Sequence, residues 1–166
     1  MVRLIAVLVV FAVFAVAVWE LAPLPSRTLT YQHFTCAIPY NWSLESNDIF
    51  DLIAKRPFGG RFSVSEMAWV PRRVPTQDMG ESLERKFVSL GGEVVSENHD
   101  PFLGYPAYRF TVRKKFGGGH MAYSFELSFV TGDQIYQLSL MKKDGDPLQD
   151  AQLKAALDSF ALINRS

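Results

Sequence analysis

YPAYRFTVRKKFGGGHMAYSFELSFVTGDQIYQLSLMKK, running from Tyr105 to Lys143, reads as three antiparallel strands in succession. The spacing predicts strands over Tyr105–Phe116, His120–Thr131 and Gln134–Lys143. Gly117-Gly118-Gly119 and Gly132-Asp133 join them, both with the composition of tight hairpin turns. In the middle strand Met121, Tyr123, Phe125, Leu127 and Phe129 alternate with Ala122, Ser124, Glu126, Ser128 and Val130. Side chains in a strand point alternately to opposite faces, so one face is strongly apolar and buried, the other less so. Tyr108, Phe110 and Val112 before it, and Tyr136, Leu138 and Leu140 after it, extend the pattern into a wide aromatic sheet.

Working outward, the remaining segments supply cover for that sheet. Phe34, Cys36 and Ile38 share one face of an early strand that ends at Pro39, and Trp42 opens the next segment. Cys36, in phase with its apolar neighbours, is a buried small hydrophobe. Phe50–Lys55 and Arg61–Val70 are expected strands around the turn Pro57-Phe58-Gly59-Gly60. In the second, the apolar phase slips from Phe62 and Val64 to Met67 and Trp69, which predicts a bulge near Ser65-Glu66. Thr76 to Leu90 is a predicted helix with Met79, Leu83, Phe87 and Leu90 on one stripe and Gly91-Gly92 at its end. Glu93–Ser96 is a short candidate strand. Asp146-Pro147-Leu148-Gln149 has the form of a capped helix start, and the helix is expected to reach Phe160, with Leu153, Leu157 and Phe160 toward the sheet. The fold class is therefore α+β, an antiparallel sheet flanked by helices.

Leu4 to Trp19 is an uninterrupted apolar run preceded by Arg3. At roughly 16 residues it is short for a spanning helix and suits a signal-peptide core. Extended to Ala22 it can cross a thin bilayer, with Trp19 as an interfacial anchor. Residues 1–22 thus read as a retained signal anchor, or as a signal peptide cleaved at Ala15-Val16-Ala17. Either places the domain outside the cytoplasmic membrane, tethered or exported. Residues 23–28, with Pro23 and Pro25, form a stiff linker, and 29–163 the folded domain.

Composition excludes several classes. Lys+Arg and Asp+Glu are 17 each, so the net charge is zero and a nucleic-acid partner is not expected. A single Cys permits neither an internal disulfide nor a Cys-rich zinc site. His33, His99 and His120 lack ligand spacing, with His99-Asp100 the best pair, so no metal or other cofactor is expected. No Gly-x-Ser-x-Gly elbow marks a hydrolase. The triple glycine lacks a following Gly-Lys-Ser/Thr and joins two strands, so it reads as a hairpin and not a phosphate loop. Asn41-Trp42-Ser43 and Asn164-Arg165-Ser166 match the glycosylation sequon, which is a chance match in a bacterial-type chain.

One cluster points to a contact surface. The first strand of the meander ends, and the third ends, at the same rim, which collects Arg113, Lys114, Lys115, His120, Lys142 and Lys143. Such a group can meet anionic headgroups or an acidic partner; alternatively it is a solvated edge whose lysines discourage strand pairing.

Phe34-Thr35-Cys36-Ala37-Ile38-Pro39 with Trp42, Gly104-Tyr105-Pro106-Ala107-Tyr108, and Leu157-Asp158-Ser159-Phe160 together resemble the family of the extrinsic photosystem protein PsbP and the DcrB-type bacterial envelope proteins. The resemblance spans about Thr28 to Ile163. It implies an α/β/α sandwich and a non-enzymatic accessory protein docked on a membrane complex, with no catalytic set to transfer. The photosystem role is not carried over. Two readings of function follow: an accessory protein binding another envelope protein or membrane complex through the sandwich surface, or a small-ligand-binding envelope domain with a pocket at the aromatic face. An enzyme without a recognisable motif is a third and requires a cleft of convergent carboxylates.

Overall fold

The period-two alternation of the meander becomes the middle of a seven-stranded antiparallel sheet. The computed structural model describes residues 25–57, 59–68, 76–115, 117–132 and 134–163. The expected signal anchor or signal peptide over 1–22 lies outside these residues, as do Trp69 and Val70. Among the described residues no helix is long and apolar enough to cross a membrane.

The elements in chain order are β1 (Ser26–Thr30), β2 (Phe34–Pro39), β3 (Ser43–Glu45), β4 (Leu52–Lys55), β5 (Arg61–Ala68), α1 (Thr76–Ser89), β6 (Glu93–Asn98), β7 (Ala107–Lys115), β8 (Met121–Thr131), β9 (Gln134–Lys143), α2 (Ala151–Asp158) and β10 (Ala161–Leu162). The large sheet has the order β3-β4-β5-β9-β8-β7-β6, and a small sheet has the order β1-β2-β10. The fold is α+β with antiparallel sheets and two described helices. It differs from a plain helix-sheet-helix sandwich, because among the described residues one outer layer is α1 while the other combines α2 with the small sheet. Ser26 already pairs with Pro39, so regular structure begins inside the stretch expected as linker.

Both faces of the meander are covered. Phe125, Leu127, Phe129, Tyr136, Leu138 and Leu140 form one core with Phe34, Ile38 and Trp42 of the small-sheet side and Leu153, Leu157 and Phe160 of the α2 side. The Phe129 and Tyr136 rings stack at 5.1 Å, and Phe34 lies 5.2 Å from Phe160, spacings at which aromatic pairs add to simple burial. The Ser159 hydroxyl accepts from the Ala37 N–H at 2.8 Å and binds α2 to β2. On the opposite face Tyr108, Phe110 and Val112 pack under Leu83 and Phe87 of α1.

Three expectations are corrected. β5 pairs with β9 in unbroken register from Arg61–Met141 to Ala68–Gln134, so there is no bulge at Ser65-Glu66. Phe62 and Val64 face the α2 side, while Met67 belongs to the other face, which also carries apolar side chains; the apparent slip came from a strand whose two faces are both in use. The bulge lies in β6, between Val94 and Ser96. The C-terminal helix does not start at Asp146: a 3-10 turn at Pro147–Gln149 ends at Asp150, whose side chain caps α2 by accepting from the Gln152 and Leu153 N–H groups. The last correction concerns Leu90, which is exposed although it ends the apolar stripe of α1.

α1 is seated by a close approach. Gly80 is buried against Tyr108, and a Cβ at that position would stand 2.1 Å from the ring. One turn later Glu84 accepts from the Tyr108 hydroxyl. Only glycine admits this approach, so Gly80→Ala forces α1 off the sheet. The overpacking cost of about 1–3 kcal/mol exceeds the gain in helix propensity of about 1 kcal/mol. We expect the thermal midpoint to fall by roughly 5 °C in a circular-dichroism melt; an unchanged or raised midpoint contradicts the seating of α1.

Candidate functional site

The rim residues come together as strand register requires. Lys115 pairs with Met121, Lys114 with Ala122 and Arg113 with Tyr123, while Ala122 and Tyr123 pair on their other side with Lys143 and Lys142. The six cations are not equivalent. Arg113 forms a two-pronged pair with Glu93 at 2.8 and 2.9 Å, and its guanidinium holds that carboxyl below the usual range. His120 lies 3.2 Å from Asp144, and Asp144 is held low chiefly by the Met121 N–H. Lys142 reaches Asp150 at 3.0 Å, and the same carboxylate takes Arg56 at 2.9 Å. Burial pushes Asp150 up, but Lys142, the Leu153 N–H and Arg56 outweigh it and hold the group ionised. Lys114, Lys115 and Lys143 carry no ion pair among the described residues. The rim charge outside ion pairs among the described residues is therefore carried by these three lysines.

A cleft of about 550 Å³ opens on the aromatic side of the sheet. Phe102, Phe125, Leu127, Leu148 and Leu157 form its apolar wall, and Arg109, Glu97 and Lys154 are among its polar groups. The Arg109 guanidinium lies over the Phe102 ring at 5.6 Å and donates to the Pro101 carbonyl at 2.6 Å. The volume falls within the range of small-molecule sites, which are apolar with few fixed polar groups.

The other face holds a group that sequence reasoning missed. Glu126 is 5% exposed at the centre of β8, where Ser139 donates to it at 2.8 Å and Ser124 donates as well. Buried Ser63, Ser65 and Ser128 extend this polar patch, and the hydroxyls of Ser63 and Ser128 have no hydrogen-bond partner among the described residues. A cavity of about 240 Å³ between α1 and the β3–β4 connection reaches Glu126, Ser139 and Arg61, with Phe50, Leu83 and Phe87 as its apolar wall. The signal in the sequence is Ser124-Glu126-Ser128, a lone charge between small polar residues on the weaker face of a central strand. It carries meaning only once that face is known to be covered.

No metal set forms among the described residues. His99 contacts Glu97 at 3.1 Å and stands edge-on to Tyr108, while Asp100 accepts from Asn98, so the candidate pair is not assembled. Cys36 is 1% exposed, and burial pushes its thiol up to about 12, which makes it inert packing.

Burial pushes Glu126 up to about 7, against the Ser124 and Ser139 hydroxyls and the Arg61 charge that favour ionisation. The folded-state value lies above the ordinary 4.5, so between these values the folded protein binds the extra proton. Stability contributed by the neutral acid is present at low pH and is lost as pH rises through about 7. Glu126→Gln removes this dependence. Relative to the parent, its stability is expected to improve by up to about 3 kcal/mol from about pH 5 to about pH 8, read from urea midpoints. A difference that stays constant with pH refutes the assignment.

No family model and no curated protein matches the chain. Solved structures do. Cyanobacterial PsbP (CyanoP) from Synechocystis sp. PCC 6803 superposes with a TM-score of 0.66 at 10% identity, over 86% of this chain and 95% of that one. LpqN, involved in cell envelope biogenesis of Mycobacterium tuberculosis, gives 0.61 at 10% identity, over 84% and 91%. A Pseudomonas aeruginosa protein of unknown function gives 0.53 at 17% identity, over 85% and 98%. Of the residues that carry the sequence resemblance, Phe34, Cys36, Ile38, Trp42, Ala107, Tyr108, Leu157 and Phe160 are buried, while Gly104, Pro106 and Asp158 are exposed. The chain has a PsbP-like fold.

Proposed function

We propose that this chain is a non-enzymatic accessory protein of the cell envelope. It binds another envelope protein or membrane complex through its sandwich domain, outside the cytoplasmic membrane. The observation that carries this reading is the shared fold with CyanoP and with LpqN, an envelope-biogenesis protein, over nearly the full length of each. The apolar run Leu4–Trp19 supports the location, tethered if it is retained and periplasmic or secreted if it is cleaved. The resemblance brings no catalytic set to transfer, and the partnered carboxylates of the rim are read as structural ion pairs.

The 550 Å³ cleft supports a second reading, a small-ligand-binding envelope domain. Its ligand is an amphiphile whose apolar part meets Phe102, Phe125 and Leu157 and whose polar part reaches Arg109.

Purification of the tagged full chain from its native membranes in mild detergent separates the two. Under the first reading, mass spectrometry finds an intact N-terminus and a protein companion in stoichiometric amount. A lone chain shortened near Ala17, with a small molecule retained in native mass spectra, favours the second. In that case Leu148→Trp, which fills the cleft from its wall, is expected to displace the molecule.

A further inference from the structure

The chain enters the fold at the same end of the strands where the free lysines lie. Pro25 accepts from the Tyr40 N–H at 3.1 Å, and Arg27 donates to the Trp42 carbonyl at 3.2 Å. Ser43 follows directly in β3, and the ladder then runs Ser43–Lys55, Lys55–Arg61 and Arg61–Met141, the residue before Lys142 and Lys143. Asp150 supplies an independent tie, because it binds both Arg56, just past β4, and Lys142, near the end of β9.

Tether length turns this into a constraint. If Trp19 and Glu20 lie at the membrane interface, only the stretch to Ser26 separates the interface from β1. Fully extended, that stretch reaches about 20 Å, and Pro23 and Pro25 stiffen it. The entry end of the sandwich cannot stand far from the headgroups. That end presents Lys114, Lys115 and Lys143, which form no ion pair among the described residues, together with Tyr40 at 64% exposure, an aromatic residue of the kind enriched at membrane interfaces. Asp144 and Asp146 reduce the field there, but Asp144 is engaged by His120 and the Met121 N–H, and Asp146 by the Leu148 N–H.

We infer that this end of the domain rests on the anionic headgroups of the membrane that holds residues 1–22. The inference depends on the tethered form of the proposed function. Three lysines are too few to recruit a free protein. A tethered domain is already at the surface, where the effective concentration is high, and the lysines need only orient it. The opposite end, with the Asn98–Gly104 loop and exposed Leu103, then points away from the bilayer toward partners.

The test uses the full chain reconstituted in phosphatidylcholine vesicles with or without phosphatidylglycerol. A fluorophore is placed at Ser43→Cys, exposed at the same rim, or at Leu103→Cys; buried Cys36 stays unlabelled. Quenching by headgroup-attached spin labels reads distance from the surface. With phosphatidylglycerol, the label at 43 is expected to be quenched several-fold more than that at 103, and Lys114→Glu with Lys143→Glu to abolish the excess. Equal quenching at both positions, or an excess that persists after charge reversal or without anionic lipid, overturns the orientation and leaves the lysines to an acidic protein. Release of the chain by alkaline carbonate is read first, and it removes the tether and the inference together. Retention with equal quenching leaves the tether standing and overturns the orientation alone.

Discussion

Everything in this fold follows from β8 having two buried faces. A strand with one wet face needs a single covering layer, but the centre of a seven-stranded sheet flanked on both sides needs two. Phe125, Leu127 and Phe129 demand an apolar layer, which β2, α2 and Phe160 provide. Ser124, Glu126 and Ser128 lie on the face toward α1 and cannot be covered by a closely packed apolar helix without stranding their polar atoms. α1 answers by touching the sheet mainly over β7, through Gly80 on Tyr108 and through Leu83 and Phe87 on Phe110 and Val112. The space left beyond it is the cavity that reaches Glu126.

This division explains which parts of the structure were legible in the sequence. Strand positions could be read because alternation is local: Tyr123 to Phe129, Tyr136 to Leu140 and Phe34 to Ile38 each declare a face within a few residues. The helix stripe Leu83–Phe87 was legible for the same reason. What depended on distant pairing was not. Ala161–Leu162 is a two-residue strand whose existence rests on Thr35 and Phe34 lying beside it, more than a hundred positions away. Met67 suggested a bulge only because one assumes a single apolar phase per strand, and β5 uses both faces. Asp150 interrupts the expected helix because Arg56 and Lys142, remote in sequence, make a buried carboxylate affordable there.

The candidate site divides in the same way. Register alone brought the six rim cations together, since consecutive hairpins must return to the same edge. Their inequality was illegible, because it depends on Glu93, Asp144 and Asp150, which sit on a neighbouring strand, a loop and a helix cap. Three of the cations are thereby spent on holding elements together: Arg113 fastens the edge strand β6, His120 the β8 hairpin, and Lys142 the start of α2.

A PsbP-like fold shared at 10% identity carries no shared chemistry by itself. Among the residues through which this chain resembles PsbP-like proteins, Trp42, Ala107, Tyr108 and Phe160 are buried. Their role is packing: Trp42 is buried in the core beside the start of β3, Ala107 opens β7 opposite Phe129, and Phe160 joins the aromatic cluster just past α2. Lys114, Lys115 and Lys143 stand at the opposite extreme, at strand ends where almost any polar residue keeps the fold. Cationic side chains placed there, at the end of the large sheet where β3 begins, are not needed for packing. Their position at the rim, and not a packing requirement, is what sets them apart from the buried residues.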